Sequence, residues 1–558
     1  MKRLHAPAIC SWGHFYIGVR NLMKNPGTGK YAASLTCTLL LAGMACVALG
    51  TFFYFYRVKP AATAGVLNNI DWGWELSYHL PYVLISMGAF SCLFSLVLRK
   101  IDFSGYERPD VWLLSLIFIT LLFYSISSQI RFLDNDEYEH LHNAWMMKEH
   151  TIPFFSLHFK HSPLLEWITV FFMSLQNPST LIIRTMRLFI FLLSCGSLCV
   201  IYLIARNVFN SYRTALVSVW IVLCNFVWME KSPEIRPDNL MVFFCLLAFL
   251  ALIRFHETQR SRYIFLFVLG SLLSFLGKQN AAIFIFSIGL VVFRHVLGSL
   301  RTRRFGIILI TTGITITALA VLMIPHDIIL DIGFKHLIPN DNKFWPTRFL
   351  YKILEKNPEI FLLFVAQIFL FKKIKTSHPI FKEYILSVSI VALAFLFLMN
   401  RPWMQEMIVM TVFMTLLAAD ALSRLFRKTG VIICTLILLA MAIPANRRLI
   451  KKYIVKKTMT RDLITTETIL KISGKNDLVF DSYGKPIFRH HPLEPRYLMY
   501  FPEKFSRLEL LEKSRTKFLI KDSYYPRLPQ KTIHWFENNF RKTKKDPNIY
   551  VRDMAGRK

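Results

Sequence analysis

Apolar runs of about fifteen to twenty-three residues recur along most of this chain, separated by short polar stretches. A helix that crosses the hydrocarbon core of a bilayer needs roughly 17–25 mostly apolar residues, and shorter cores extend into polar flanks. The pattern predicts about thirteen such helices, near 34–56, 80–98, 112–130, 187–205, 214–229, 239–254, 263–277, 279–297, 306–325, 358–372, 383–400, 406–426 and 430–444. A shorter apolar segment at 164–176 reads as a helix lying flat at the interface. Beyond residue 450 the pattern changes to brief strand-like runs, such as Leu478–Phe480 and Lys517–Ile520, with Tyr, Pro and Lys between them. The expectation is an all-α polytopic membrane protein with a small C-terminal α/β extramembrane domain. Residues 1–110 hold a cytoplasmic N-terminus and two accessory spans, 111–445 the membrane core, and 446–558 the extramembrane part.

Charge orients this arrangement. Lys and Arg number 67 against 35 Asp and Glu, a net charge of +32. In a soluble chain that excess would suggest nucleic acid. Here it sits in short loops between apolar runs, where it fixes topology and meets anionic headgroups, so nucleic-acid binding is excluded. Arg206 and Arg213 flank one loop; Arg254, Arg260 and Arg262, then Arg301, Arg303 and Arg304, then Lys372, Lys373, Lys375 and Lys382, then Arg424, Arg427 and Lys428 mark others on the same side. These loops are expected in the cytoplasm, with the N-terminus, and the acid-richer loops outside. The stretch with Arg447, Arg448, Lys451, Lys452, Lys456 and Lys457 divides the rules: span parity puts it outside, its charge inside. Of nine cysteines all but Cys10 fall in apolar runs, which argues against a disulfide framework or a zinc site. The run from Ala33 is too long for a signal peptide and reads as a retained span.

The acid-richer loops carry the candidate chemistry. An outer loop over 131–163 opens with Asp134, Asp136, Glu137 and Glu139, four carboxylates just beyond a span. It reads either as a solvated acidic loop or as the seat of a general base that deprotonates an acceptor hydroxyl. Such oxygens also suit a divalent cation, although the cluster alone does not establish one. His140, His142, His158 and His161 follow without compact metal-ligand spacing. A second loop ends in Arg236-Pro237-Asp238, where Asp238 is either a helix-start residue favoured by the dipole or a site residue at the membrane edge. Lys278, in the tight turn Gly277-Lys278-Gln279-Asn280, either snorkels or binds a lipid phosphate. Arg401 poses the same choice beside Trp403 and Gln405, and Trp403 suits an aromatic belt or a sugar face. Arg184 and Arg187 read as structural. The loop over 326–357 is long enough for a lid.

Taken in order, these motifs resemble the GT-C membrane glycosyltransferases, in the branch of protein O-mannosyltransferases and lipid A aminoarabinose transferases. The resemblance runs from about 112 to 445. It rests on Asp136-Glu137-Tyr138-Glu139-His140, Pro153-Phe154, His161-Ser162-Pro163-Leu164-Leu165-Glu166-Trp167, Arg184-Thr185-Met186-Arg187, Arg236-Pro237-Asp238, Gly277-Lys278-Gln279 and Pro402-Trp403-Met404-Gln405. It departs at Ser162, where relatives often have Pro, and at Met404 and Glu406, where they often have Pro and Tyr. The resemblance implies inverting transfer of a sugar from a polyprenyl-phosphate donor to a lipid, glycan or protein acceptor, at the periplasmic face of a cell inner membrane. It implies Asp136 as base, with Asp134 as the alternative. Glu137 would support the base or touch the acceptor, and Asp238 would be a second acidic residue. Lys278, Arg401 and Arg236 would meet the donor phosphate, and His161, His140, Trp403 and Gln405 the acceptor or sugar. No Gly-rich nucleotide loop is found.

Two other readings stand beside it. A lipid-linked glycan flippase would place ionisable groups mid-span and show broken helices or repeats. A glycan ligase or polymerase would use a lipid-diphosphate donor.

Overall fold

The structure, a computed structural model, describes residues 39–49, 51, 72–98, 108–149, 163–296, 358–369, 371–398, 407–429, 459–481, 484–492, 508–521 and 525–553. The spans at 306–325 and 430–444 and the loop over 326–357 lie outside them. Helix α1 is Leu39–Leu49 and α2 is Trp72–Leu98. They meet where Gly43 faces Gly88: a Cβ on Gly88 would stand 2.5 Å from the Gly43 carbonyl oxygen, so the two backbones pack without side chains between them. Then come α3 (Arg108–Ile130), α4 (Asn135–Lys148), α5 (Leu164–Ser174) and α6 (Leu181–Phe209). They are followed by α7 (Tyr212–Cys224), α8 (Phe226–Lys231), α9 (Pro237–Thr258), α10 (Ser261–Gly277) and α11 (Ala281–Val296). Helices α12 (Pro358–Phe369), α13 (Pro379–Leu398) and α14 (Met407–Thr429) complete the apolar part.

Among the described residues three helices are long and apolar enough to cross a membrane: Leu113–Ile130, Leu181–Phe209 and Pro237–Thr258. Their ends follow local chemistry. Helix α6 stops where Asn210 turns left-handed (φ 47°), a residue type that tolerates that region. Helix α9 starts with Pro237 in its first turn, where the missing N–H costs nothing. The single span predicted over 214–229 is broken: Asn225 takes an extended backbone, and its side chain accepts the Trp228 N–H at 3.1 Å, restarting the chain as α8. A second correction concerns the acidic segment, which is a helix and not a loop from residue 135 onward. Hydropathy hides it because its buried face carries Glu137, His140 and His142 as well as Leu141, Trp145 and Met146.

The tail folds on the acidic end of the bundle. Helix α15 (Thr460–Ile472) leads into β1 (Leu478–Phe480), α16 (Leu508–Lys513), β2 (Thr516–Ile520), α17 (Gln530–Asn539), β3 (Phe540–Lys542) and β4 (Ile549–Arg552). The strands form one sheet in the order β1-β2-β4-β3, with β1 and β2 parallel and the other pairs antiparallel. Alternation along β2 sends Phe518 and Ile520 to one face with Ile469 and Val479, and Leu519 to the other with Leu511 and Phe536. Both faces are thereby covered.

Met459 donates its N–H to the Ile130 carbonyl at 3.2 Å, returning the chain to the end of α3. Met459, Leu463, Ile487 and Phe488 share an apolar core with Leu141, Trp145, Leu165, Ile183 and Ile190 of α4, α5 and α6. His79 of α2 is hydrogen-bonded to Thr460 Oγ1 at 2.7 Å, both buried. Gly484 has φ +77° and lies so close to α4 that a Cβ would sit 2.8 Å from the Cβ of His142. Gly484→Ala is therefore expected to cost about 1–3 kcal/mol, through the left-handed backbone and the clash together. The midpoint of thermal unfolding in detergent should fall and segment 484–492 should exchange amide hydrogens faster; a variant that matches the parent on both counts would show that this contact carries no stability.

Candidate active site

Four carboxylates within residues 134–139 repel one another unless they are separated or neutralised, and α4 does both. Asp134 caps the helix: its side chain accepts the Asp136 N–H at 3.2 Å, while its own N–H donates to Glu137 Oε2 at 2.8 Å, a capping box. Glu137 points inward and is fully buried. Its Oε2 also accepts from Arg187 Nη2 at 2.6 Å, and its Oε1 accepts the Ile235 N–H at 2.8 Å. Arg187 is equally buried and donates to the carbonyls of Ser128 (3.1 Å) and Phe132 (3.2 Å). A buried pair of this kind holds only with its remaining hydrogen bonds made, which ties α4 to α6 and to the loop before α9. Glu137 is thus placed as a strut behind the site, without an open face toward an acceptor.

Asp136 is the more open carboxylate, with its side chain 36% exposed. Arg236 Nη2 donates to Asp136 Oδ2 and lies 3.3 Å from Asp134 Oδ1. On the other side of the same guanidinium, Nε stands 2.5 Å from Glu234 Oε2. Glu234 is fully buried and also pairs with Arg131 Nη2 at 2.6 Å and Lys231 Nζ at 3.1 Å. Burial pushes the Glu234 carboxyl up, but Lys231, Arg236 and Arg131 outweigh it and hold the group well below the usual carboxylate range. For Arg236 burial alone would favour the neutral form; Asp136, Glu234 and Asp134 keep it firmly charged. The result is a chain of alternating charge, Lys231 and Arg131 to Glu234 to Arg236 to Asp136, ending at the most accessible acid.

The other candidates are placed as follows. Asp238 accepts from Lys278 Nζ at 2.7 Å, and both are almost fully buried, so each neutralises the other and joins the start of α9 to the end of α10. His140, one turn beyond Asp136, has Nδ1 2.7 Å from Glu166 Oε1 in a buried pair. Burial pulls the His140 value down, but the hydrogen bond and charge of Glu166 raise it overall. His161, Arg401, Trp403 and Gln405 lie outside the described residues. Arg131, Glu166, Arg187 and Glu234 were not among the candidate site residues. The available signal was an arginine inside an apolar run and a glutamate two residues before Arg236, and neither names its partner. Among the described residues no group of three or more His, Cys, Asp or Glu is arranged to hold a metal ion.

Residues 160–326 match the family model for dolichyl-phosphate-mannose-protein mannosyltransferases. No curated protein matches this chain. Among solved structures, ArnT from Cupriavidus metallidurans bound to undecaprenyl phosphate is similar with a TM-score of 0.54 at 12% identity, covering 80% of this chain and 98% of that one. The apo state of the same protein gives 0.55 at 12% identity, covering 79% and 97%. At that identity the likeness is one of fold.

Arg187→Met leaves the buried Glu137 carboxyl without its main cation, and is expected to cost about 3–5 kcal/mol. Adding Glu137→Gln should recover a large part of the loss in thermal unfolding; strict additivity of the two changes would show that the groups are not coupled.

His142 supplies a pH prediction. It is buried, its Nδ1 hydrogen-bonds the Ile487 carbonyl at 2.9 Å, and burial lowers it to about 4. The folded chain thus resists its protonation while the unfolded chain accepts it. The stability carried by neutral His142 is complete above the ordinary histidine value of about 6.5 and is lost as pH falls toward 4. The raised value of His140 works in the opposite sense, its contribution being lost as pH rises. His142→Gln, which keeps a donor but does not titrate there, should flatten the acid limb of an unfolding-midpoint profile; an unchanged limb would place the acid sensitivity elsewhere.

Proposed function

We propose that this chain, which is related to the GT-C membrane glycosyltransferases of the protein O-mannosyltransferase and lipid A aminoarabinose transferase branch, transfers a sugar from a polyprenyl-phosphate donor to an acceptor hydroxyl, with inversion and with Asp136 as general base. The observation that carries the reading is Asp136 itself: a partly open carboxylate in the first turn of α4, six residues beyond a helix long and apolar enough to cross a membrane, backed by a buried charge network and adjoining a guanidinium suited to phosphate. The resemblance of ArnT, solved with undecaprenyl phosphate, supports a lipid monophosphate as the carrier.

In this mechanism Asp136 takes the acceptor proton as the oxygen attacks the anomeric carbon. The bond from that carbon to the phosphate oxygen breaks, and its electron pair stays on the lipid phosphate. Negative charge therefore grows on the phosphate as it leaves, and Arg236, with Arg401, lowers the barrier by meeting it there. Lys278 and Asp238 hold the neighbouring helix ends; Lys278 would reach a phosphate only by leaving Asp238. His140, oriented by Glu166, is assigned to the acceptor or sugar in this reading, as are His161, Trp403 and Gln405.

Residues 111–445 form the catalytic core in this reading, and 446–558 an extramembrane domain on the side of the site, supported by the packing of Met459, Ile487 and Phe488 on α4 and α5. The basic loops at the other end of the bundle support a cytoplasmic face there, and so a periplasmic site in a bacterial inner membrane.

The test is sugar transfer by the purified protein in lipid, with radiolabelled polyprenyl-monophosphate sugars and lipid-diphosphate glycans compared, and a membrane-lipid extract as acceptor. Wild type should transfer from the monophosphate donor, and Asp136→Asn should lose on the order of 10²-fold or more in rate without losing its fold. Equal rates in both would remove Asp136 as base; transfer from the diphosphate alone would make the chain a ligase.

A further inference from the structure

The geometry around Arg236 raises a difficulty for any base at Asp136. A carboxylate held by a guanidinium is a poor proton acceptor, because the cation stabilises its ionised form. Arg236 donates to Asp136 directly. It also leans on Asp134 at 3.3 Å and on Glu234 at 2.5 Å, so one cation is shared among three carboxylates. The three holds are unequal. Glu234 is fully buried and fixed by Arg131 and Lys231 as well, whereas Asp136 and Asp134 are 36% and 28% exposed and lie on the open side. The guanidinium thus keeps an ion pair with the buried Glu234 on its Nε side and engages the open acids through Nη2. The phosphodiester of a polyprenyl-phosphate sugar arriving on that side presents one negative charge and two free oxygens to Nη2, enough to exchange with one carboxylate, and its hold on the guanidinium strengthens as transfer turns it into a monoester of higher charge.

We propose that Arg236 is a shuttle: it holds Asp136 in the resting site and transfers its Nη2 contact to the donor's lipid phosphate when that binds, which releases Asp136 to act as base. Glu234 is the positioning residue that keeps the guanidinium in reach during the exchange. The inference rests on the functional reading above and adds an order to it. Donor binds first and switches on the base; acceptor is deprotonated second. A site without donor keeps its base masked, so hydroxyl groups that enter alone are not activated. After transfer the lipid phosphate still holds Arg236, and its departure restores the masked state.

The experiment measures the reactivity of Asp136, not turnover. The full-length protein in nanodiscs is treated with a water-soluble carbodiimide and an amine, and labelling at Asp136 is quantified by mass spectrometry. Three conditions are compared: no addition, radiolabelled undecaprenyl monophosphate, and undecaprenol of the same chain. Labelling of Asp136 should rise severalfold with the monophosphate and stay unchanged with the neutral alcohol, while the buried Glu234 stays unlabelled throughout. Arg236→Gln should show the high level without lipid and no further response. The wild-type comparison stands even if that variant does not fold. Retention of the radiolabelled monophosphate with no rise at Asp136 would overturn the shuttle and leave the functional reading standing. Failure to retain the monophosphate at all would overturn both.

Discussion

Acidic groups placed where a chain leaves an apolar phase must find cations or lose their charge, and most of this site follows from how that demand is met. Glu137 and Glu234 are fully buried carboxylates on different segments, and each is reached by an arginine from yet another segment, Arg187 of α6 and Arg131 beyond α3. The cations do not merely offset repulsion. Each also donates to backbone carbonyls or to a second acid, so removing one group leaves several polar atoms stranded in a dry place. The position of Asp136 is a by-product of this arrangement: Asp134 is turned to capping and Glu137 to bracing, while Asp136 stays partly exposed beside Arg236.

Hydropathy made the apolar helices legible, because burial in lipid demands long uninterrupted runs and the chain supplies them at 112–130, 239–254 and 263–277 with boundaries close to those of α3, α9 and α10. It missed the break at Asn225, since one polar residue barely alters a window average, and it missed α4, whose buried face is built from ionisable residues. The candidate residues at 136, 137, 236, 238 and 278 do gather at one end of the bundle, but their pairing was not legible. Lys278 with Asp238 spans forty residues and Arg236 with Asp136 a hundred. Such contacts are set by helix packing, which no local pattern encodes. Reading each charge singly left Lys278 between snorkelling and a lipid phosphate and did not show that Asp238 stands beside it.

The first two helices, read as an accessory pair, also make contacts at this end of the bundle. Helix α2 supplies His79 to the start of α15 and sets Tyr82 beneath the Arg184 guanidinium at 4.4 Å, while Arg184 donates to the Gln129 carbonyl near the end of α3. The pair packs backbone to backbone where Gly43 faces Gly88.

The closure of α4 by residues 459–490 has a consequence for how the molecule is made. A chain threaded into a membrane during synthesis inserts its segments in order from the N-terminus, and its earlier parts fold while later ones are still being added. Residues 135–148 are therefore present, with Leu141, His142 and Trp145 on the face to be buried, long before Ile487 and Phe488 exist to cover them. A ribosome must add more than three hundred further residues before that face is sealed. Every copy of this protein consequently passes through an interval with its described apolar helices made and α4 uncovered, and a chain cut short before residue 459 would remain in that state for good.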